Sequence, residues 1–333
     1  MEWKENINKQ HKDGIHKPSM KRRCTAHDYK SRCFYMITLV VNKRHPLLGT
    51  IEGDGLTTQA QIKLGVLGQA VTKELVAIPN FYPQLEIGRL QIMPDHLHVI
   101  IFVKEPIPVH LGRIINGFKV ACNKAFRALK EQGKVRSDST ALWEQGYHDR
   151  ILRHEGQLQR MRNYIADNPR RWAIKKNNPE LFRVRHNVEA GGQLFAAQGN
   201  VFLLDAPWLV AVKCSRSLSQ DEIARECERY LSQAREGAVL VSPSISAGEK
   251  AVMRAAFDQG FPLIFLQENG FAPLAKPGGR RFDACAQGRL LVLAPWEYHT
   301  DRRMIRRDQC LTLNEMAEAI CSENRGTATM QKP

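Results

Sequence analysis

Two histidines separated by one residue, a tyrosine four residues before an asparagine, and arginines around them are the residue types in this chain that can do chemistry together. His96 and His98 flank Leu97 in an apolar run, residues 96–103, that reads as a strand. Alternate strand residues share a face, so both imidazoles point the same way, roughly 7 Å apart at the backbone. Two imidazoles so placed can grip one cation. Alone this pattern is weak: with 11 histidines in the chain, two solvated surface histidines are an equally good account. A second pair shifts the weight. Over residues 155–168, Leu158, Met161 and Ile165 recur at helical spacing, which puts Tyr164 and Asn168 on one face about 5–6 Å apart. Tyr164 is a candidate nucleophile, and Asn168 can offer an amide oxygen to a hard metal. Lys119, Arg150, Arg153, Arg160, Arg170 and Arg171, with Arg162, suit phosphate; a solvated helix face accounts for any single one of them equally well.

The elements that must position these residues follow from periodicity. Residues 34–41 (FYMITLVV) read as a strand. Residues 56–77 read as a helix stopped by Pro79, and 85–93 and 96–103 as adjacent strands across Pro94-Asp95. Residues 111–130 form a helix with Ile114, Ile115, Phe118, Cys122 and Phe126 on one face. A further strand lies within 142–152, and the tyrosine helix follows, ended by Pro169. This β-α-β-β-α-β order with an added helix predicts a ferredoxin-like α+β sandwich. Beyond it the pattern changes. Short apolar runs at 238–241, 262–266 and 289–293 alternate with helices opened by the capping boxes Ser219 to Glu222, Ser246 to Glu249 and Thr312 to Glu315. That alternation predicts a doubly wound, Rossmann-like α/β domain. The organisation expected is a basic mobile arm at 1–30, a first domain at 31–175, a polar Gly-Gly linker at 176–198 and a second domain at 199–325.

Charge separates the two halves. The chain has 333 residues, 49 Lys plus Arg against 34 Asp plus Glu, and a net charge of +15. Residues 1–186 hold 32 basic and 17 acidic side chains, while 187–333 hold 17 of each. The whole excess sits in the first half, which points to a polyanion there, most plausibly nucleic acid. A solubilising tail accounts for part of it, since residues 4–32 carry nine basic side chains. Hydrophobic content of 43% and charged content of 25% exclude a disordered or collagen-like chain. No apolar run approaches the ~18 residues needed to span a bilayer, and the polar, basic N-terminus lacks a signal-peptide core. A soluble, cytoplasmic, nucleoid-associated protein is expected. Eight cysteines without a C-x-x-C pair predict reduced thiols rather than a zinc ribbon or disulfide framework.

Four segments, MPDHLHVIIF (93–102), LGRIINGFKVACNKAF (111–126), LWEQGYHDRILR (142–153) and YIADNPRRW (164–172), resemble in order the REP-associated tyrosine transposases, the single-tyrosine branch of the HUH endonucleases. The likeness runs from about residue 34 to 172. It implies a ferredoxin-like HUH palm with His96 and His98 as metal ligands, Asn168 as a third polar ligand and Tyr164 as nucleophile. It also implies Mg²⁺ or Mn²⁺ as the metal, single-stranded or hairpin DNA as the substrate, and a 5′-phosphotyrosine intermediate followed by strand rejoining; it leaves monomer and homodimer both open. Two features depart from the family: Arg170 and Arg171 follow Asn-Pro where an apolar residue is usual, and typical members end soon after the tyrosine helix. In the second half, GAVLVSPSISAGE (237–249) distantly resembles Rossmann-type domains of the DNA-processing-protein-A and lysine-decarboxylase-like group. That resemblance implies an anion or an unidentified small ligand near Ser242, Ser246 and Gly248, although a well-capped structural helix is the plainer account. Residues 276–281 (KPGGRR) read as a basic glycine turn near the same edge. Two other functions compete with the transposase: a catalytically silent DNA-binding regulator with a ligand-sensing C-terminal domain, and a His-x-His metallohydrolase, which leaves the basic excess unexplained.

Overall fold

The structure is a computed structural model that describes residues 24, 26–273, 275–301 and 304–328. The chain divides into two compact units, Met1–Ala173 and Ile174–Pro333.

In the first unit β1 (Cys33–Val40) leads to a small antiparallel hairpin, β2 (Gly49–Glu52) and β3 (Gln61–Leu64), and then to α1 (Val66–Val76). β4 (Leu85–Ile92), β5 (His96–Val103), α2 (Leu111–Glu131), β6 (His148–Leu152) and α3 (Gln157–Asn177) follow. The sheet order is β4-β5-β1-β6, with every neighbouring pair antiparallel. This is the order of a ferredoxin-like sandwich. The two-residue period of the strands divides the sheet. Tyr35, Ile37 and Leu39 of β1 and Leu97, Val99 and Ile101 of β5 are buried in the same core as Leu67 and Val71 of α1 and Ile115, Phe118 and Phe126 of α2. On the opposite face Met36, Ile100 and Leu152 pack with Ile165 of α3, with Phe34, Leu158 and Met161 beside them. The second, smaller core therefore fixes the tyrosine helix over the histidine-bearing face of the sheet.

Up to residue 198, four sequence expectations need correction. Residues 56–64 are not helical: Gln61–Leu64 pairs with Gly49–Glu52 around positive-φ turns at Gly53 and Gly55. Helical spacing of Ile62 with Val66 is also the alternation of Ile62 with Leu64, and in so short a run the strand wins. Residues 1–23 of the expected mobile arm lie outside the described residues, but its end is folded. Tyr29 is buried and donates a hydrogen bond to Asp149 at 2.7 Å, and His27 bonds the Tyr35 hydroxyl at 2.8 Å. Pro169 does not end α3, which runs on to Asn177. A proline forfeits one ladder hydrogen bond, here to the Ile165 carbonyl, but continuing the helix buries Ala173 and Ile174. Residues 176–198 are not a linker, because most of them form the first two strands of the second sheet.

That second unit contains β7 (Val184–Ala190), β8 (Gln193–Gly199), β9 (Leu209–Ala211), α4 (Gln220–Arg235), β10 (Val239–Ser242), α5 (Ala247–Gln259), β11 (Leu263–Leu266), α6 (Gly279–Ala286), β12 (Leu290–Ala294) and α7 (Arg307–Ala328). Its sheet order is β7-β8-β12-β11-β10-β9. The strands β9 to β12 are mutually parallel, and β8 joins β12 antiparallel. The sheet is thus α/β but not doubly wound. Successive parallel strands step in one direction without reversing, so the switch point of a doubly wound sheet is missing. Side chains of α4, α5 and α6 share one core with Leu240, Leu263 and Val292, whereas Leu313, Met316 and Ile320 of α7 pack against Val239, Val241 and Ile264 on the other face. Right-handed crossovers between strands laid down in one direction put their helices on one side. The expected capping boxes at Ser219 and Ser246 form in full. Thr312 instead lies inside α7, its hydroxyl donating to the Asp308 carbonyl. Among the described residues no helix is long and apolar enough to cross a membrane.

Candidate active site on the first sheet

β5 carries His96 and His98 on the sheet face covered by α3. Their ring centroids are 4.8 Å apart at an interplanar angle of 76°. From α3, the Tyr164 ring stands edge-on to His98 with centroids 5.5 Å apart. Ile165 is fully buried while Tyr164 is 41% exposed, so the residue that anchors the helix is adjacent to the one it presents at the surface. Asn168, one turn further along α3, is 8% exposed. The structure thus brings His96, His98 and Tyr164 together and places Asn168 as a buried polar residue on the same helix.

Each imidazole is oriented through its Nδ1. Asp95 Oδ1 lies 2.5 Å from His96 Nδ1, and Arg44 holds the other oxygen of Asp95 at 3.1 Å. A carboxylate accepts only, so His96 Nδ1 carries a proton and donates it, and in the neutral ring the lone pair lies on Nε2. His98 Nδ1 lies 2.7 Å from Thr38 Oγ1, its cross-strand neighbour on β1. Burial pushes the His98 pKa down to about 3, and the charge of His96 adds to the effect. His98 is therefore neutral at pH 7, the form a metal ligand requires. Burial pushes the Asp95 carboxyl up, but its hydrogen bonds and charge interactions with His96 and Arg44 outweigh this and hold it below the usual range. Thr38, Arg44 and Asp95 are the site residues that sequence reasoning missed. Asp95 had a signal, an acid beside the His-x-His. Thr38 had none, because only strand register brings it opposite His98.

The basic residues divide by what already holds them. Arg170 and Arg171 both grip Asp167, through Nε at 2.6 Å and 2.5 Å. Burial pushes Asp167 up, but the hydrogen bonds from the two arginines prevail and leave it below its ordinary value. Lys119 is a brace, its ammonium donating to the carbonyls of Glu144 and Gly146 at 2.7 and 2.8 Å. Arg150, Arg153 and Arg160 are exposed around β6 and the start of α3, and Arg150 shares the α3 face of the sheet, paired in register with Met36. In the second unit the expected anion position is filled by the chain itself. Ser242 is fully buried and accepts from Ser244 N, Ser246 Oγ accepts from Glu249 N, and the Glu249 carboxylate accepts from Ile245 N and Ser246 N. A Cβ on Gly248 would meet Cys214 Cβ at 2.6 Å, so that glycine serves close packing. Among the described residues no cluster of three or more His, Cys, Asp or Glu side chains is placed to hold a metal, so any cation here would rest on the two imidazoles and a ligand of another type such as Asn168.

Comparison with known proteins finds a family likeness over part of the first unit. Residues 69–168 match the family described as "Transposase IS200 like", a stretch that includes both histidines, Tyr164 and Asn168. An uncharacterized protein of Haemophilus influenzae is 28% identical over 170 residues, covering 45% of this chain and 87% of that protein. Two solved structures are also similar. A REP-associated tyrosine transposase bound to a REP hairpin is 16% identical over 44% of this chain and 72% of its own, with a TM-score of 0.30. DNA processing protein A from Helicobacter pylori, described for its single-stranded DNA binding mode, is 17% identical over 42% of this chain and 66% of its own, with a TM-score of 0.31. The resemblance of the first unit to REP-associated tyrosine transposases, drawn from four short segments, stands alongside this IS200-like transposase match.

Proposed function

We propose that the first unit is a metal-dependent transposase and endonuclease of the single-tyrosine HUH type, acting on single-stranded or hairpin DNA. The observation that carries this reading is the edge-on approach of Tyr164 to a pair of oriented imidazoles, 5.5 Å from His98, within a stretch that matches IS200-like transposases. The donor set fits a divalent cation. His96 Nδ1 and His98 Nδ1 are both engaged by neighbours, which turns both Nε2 atoms to ligation, and Asn168 offers an amide oxygen of the kind Mg²⁺ or Mn²⁺ accepts. A cation held there would polarise the scissile phosphate and draw charge from the leaving oxygen. The chain's own groups do the rest. The Tyr164 hydroxyl attacks phosphorus, its proton passes to water, the P–O3′ bond breaks, and the 3′ oxygen takes up a proton, leaving DNA on the tyrosine through a 5′ phosphate. Attack by another 3′ hydroxyl reverses these steps and rejoins strands with one phosphodiester kept throughout. Arg150, Arg153 and Arg160 steer the backbone towards the site. The test is cleavage and rejoining of labelled hairpin oligonucleotides, including DNA flanking the protein's own gene, in Mg²⁺ or Mn²⁺. Tyr164→Phe is expected to abolish both reactions while hairpin binding stays within about threefold. Cleavage retained in the variant would refute the tyrosine mechanism.

A further inference from the structure

We propose that the second unit binds a free nucleotide, its phosphates in a basic groove between α5 and α6 and its base in an adjoining cavity. This does not depend on the chemistry of the first unit. The groove opens about 1060 Å³ and is lined by Lys250, Arg254, Arg280 and Arg281 against one carboxylate, Asp258. That concentration of positive charge stands out in a half-chain whose charges balance at 17 of each sign. Asp258 neutralises one cation only, pairing with Arg280 at 2.5 Å. The walls are aromatic: Arg280 lies over Phe257 at 5.1 Å, and Arg281 over Phe265 at 5.9 Å. Guanidinium groups laid on rings are held in place with one side still open, a geometry suited to phosphate.

Gly278 and Arg281 also line a second cavity of about 260 Å³, which Leu290 and Val292 of β12 line as well. Gln198, Gln267, Phe271 and Lys276 contribute to its walls. Gln198 is 6% exposed, and its amide nitrogen donates to the Ala275 carbonyl at 3.0 Å. The Gln267 amide nitrogen donates to the Asn269 carbonyl at 2.6 Å. Both carboxamides are fixed by these bonds, and each keeps an oxygen that can accept from a base edge. Gly278 lines both cavities. A Cβ on Gly278 or Gly279 would meet nothing within 4 Å, so the loop leaves open space where α6 begins, without a capping side chain. A backbone that bare lets a phosphate approach closely. A cavity sized for a ring, apolar in part and carrying two fixed carboxamides, joined to a cationic groove, selects a ligand with a base at one end and phosphate at the other.

The test uses the full chain and two fluorescent probes, labelled ADP and labelled dT12, with anisotropy as the readout. Arg254→Gln/Arg281→Gln and, separately, the surface change Lys250→Glu are compared with the parent, with circular dichroism as the check on folding. Saturable ADP binding that weakens tenfold or more in both variants, while hairpin binding stays within twofold, is the expected result. ADP binding equal in parent and variants, or no saturable ADP binding by the parent, would overturn the proposal. A loss confined to dT12 would also overturn it, because the groove would then be holding a strand.

Discussion

In the metal-binding role we propose, His98 would face two requirements that pull apart: a ligand must be reachable, and a neutral imidazole is most easily kept so by burial. His98 is buried on the sheet, and its Nδ1 meets a hydroxyl, Thr38, rather than an acid. His96 meets them differently, with Asp95 fixing the tautomer. Removing either partner frees a ring to rotate or change tautomer. Asp95→Asn and Thr38→Val should therefore each weaken Mn²⁺ binding by roughly 10–100-fold, read by titration of the metal-free protein; unchanged affinity would refute the positioning role. Burial also makes a pH prediction. His98 has a folded pKa of about 3 against an ordinary 6.5, so below pH 6.5 the unfolded chain takes up a proton that the folded chain refuses. Its contribution to stability is whole above about pH 6.5. It falls as pH drops, by up to about 1.4 kcal/mol per unit, until the folded ring protonates as well. Urea unfolding in chelator across that range should show this slope, and His98→Gln should flatten it.

At the scale of elements, α3 is the part on which the site depends. Its grip on the sheet passes through Ile165, fully buried against Met36, Ile100 and Leu152. Ile165→Ala should cost about 2–5 kcal/mol in chemical unfolding and lower strand cleavage further than the loss of folded protein explains, since Tyr164 is the next residue. Sequence periodicity was enough to find β1, β5, α2 and the start of α3, because each carries apolar residues at one clear spacing. It failed where two forces compete. Pro169 signals a helix end, but burial of Ala173 and Ile174 beyond it outweighs the one lost hydrogen bond. The run from Val184 to Gly199 looks like a linker because its strands are polar on their exposed side and turn at Gly191-Gly192, both at positive φ. Thr312-x-x-Glu315 has the letters of a capping box, yet α7 starts earlier, at Arg307. The His-x-His and Tyr-x-x-x-Asn pairs were legible as local spacings. Their approach to each other was not, since it depends on which sheet face α3 covers.

At the scale of the molecule, charge is divided between two units of different architecture: an antiparallel ferredoxin-like sheet in the basic half and a largely parallel sheet in the balanced half. Hairpin DNA binding by the full chain should therefore weaken steeply with salt. Arg150→Gln/Arg153→Gln/Arg160→Gln should reduce the slope of log K against log salt by about two units, at roughly 0.7–0.9 per phosphate contact. Lys119→Met should leave that slope unchanged and lower stability instead, because its ammonium is spent on two backbone carbonyls. The most direct test of the central claim is to trap the reaction itself. The protein is incubated with labelled hairpin DNA and Mn²⁺, denatured, digested and mapped by mass spectrometry. The account predicts a DNA adduct that survives denaturation, maps to Tyr164, requires the metal, and disappears in both Tyr164→Phe and His96→Ala/His98→Ala. An adduct on another residue, or strand cleavage with no adduct at all, would contradict it.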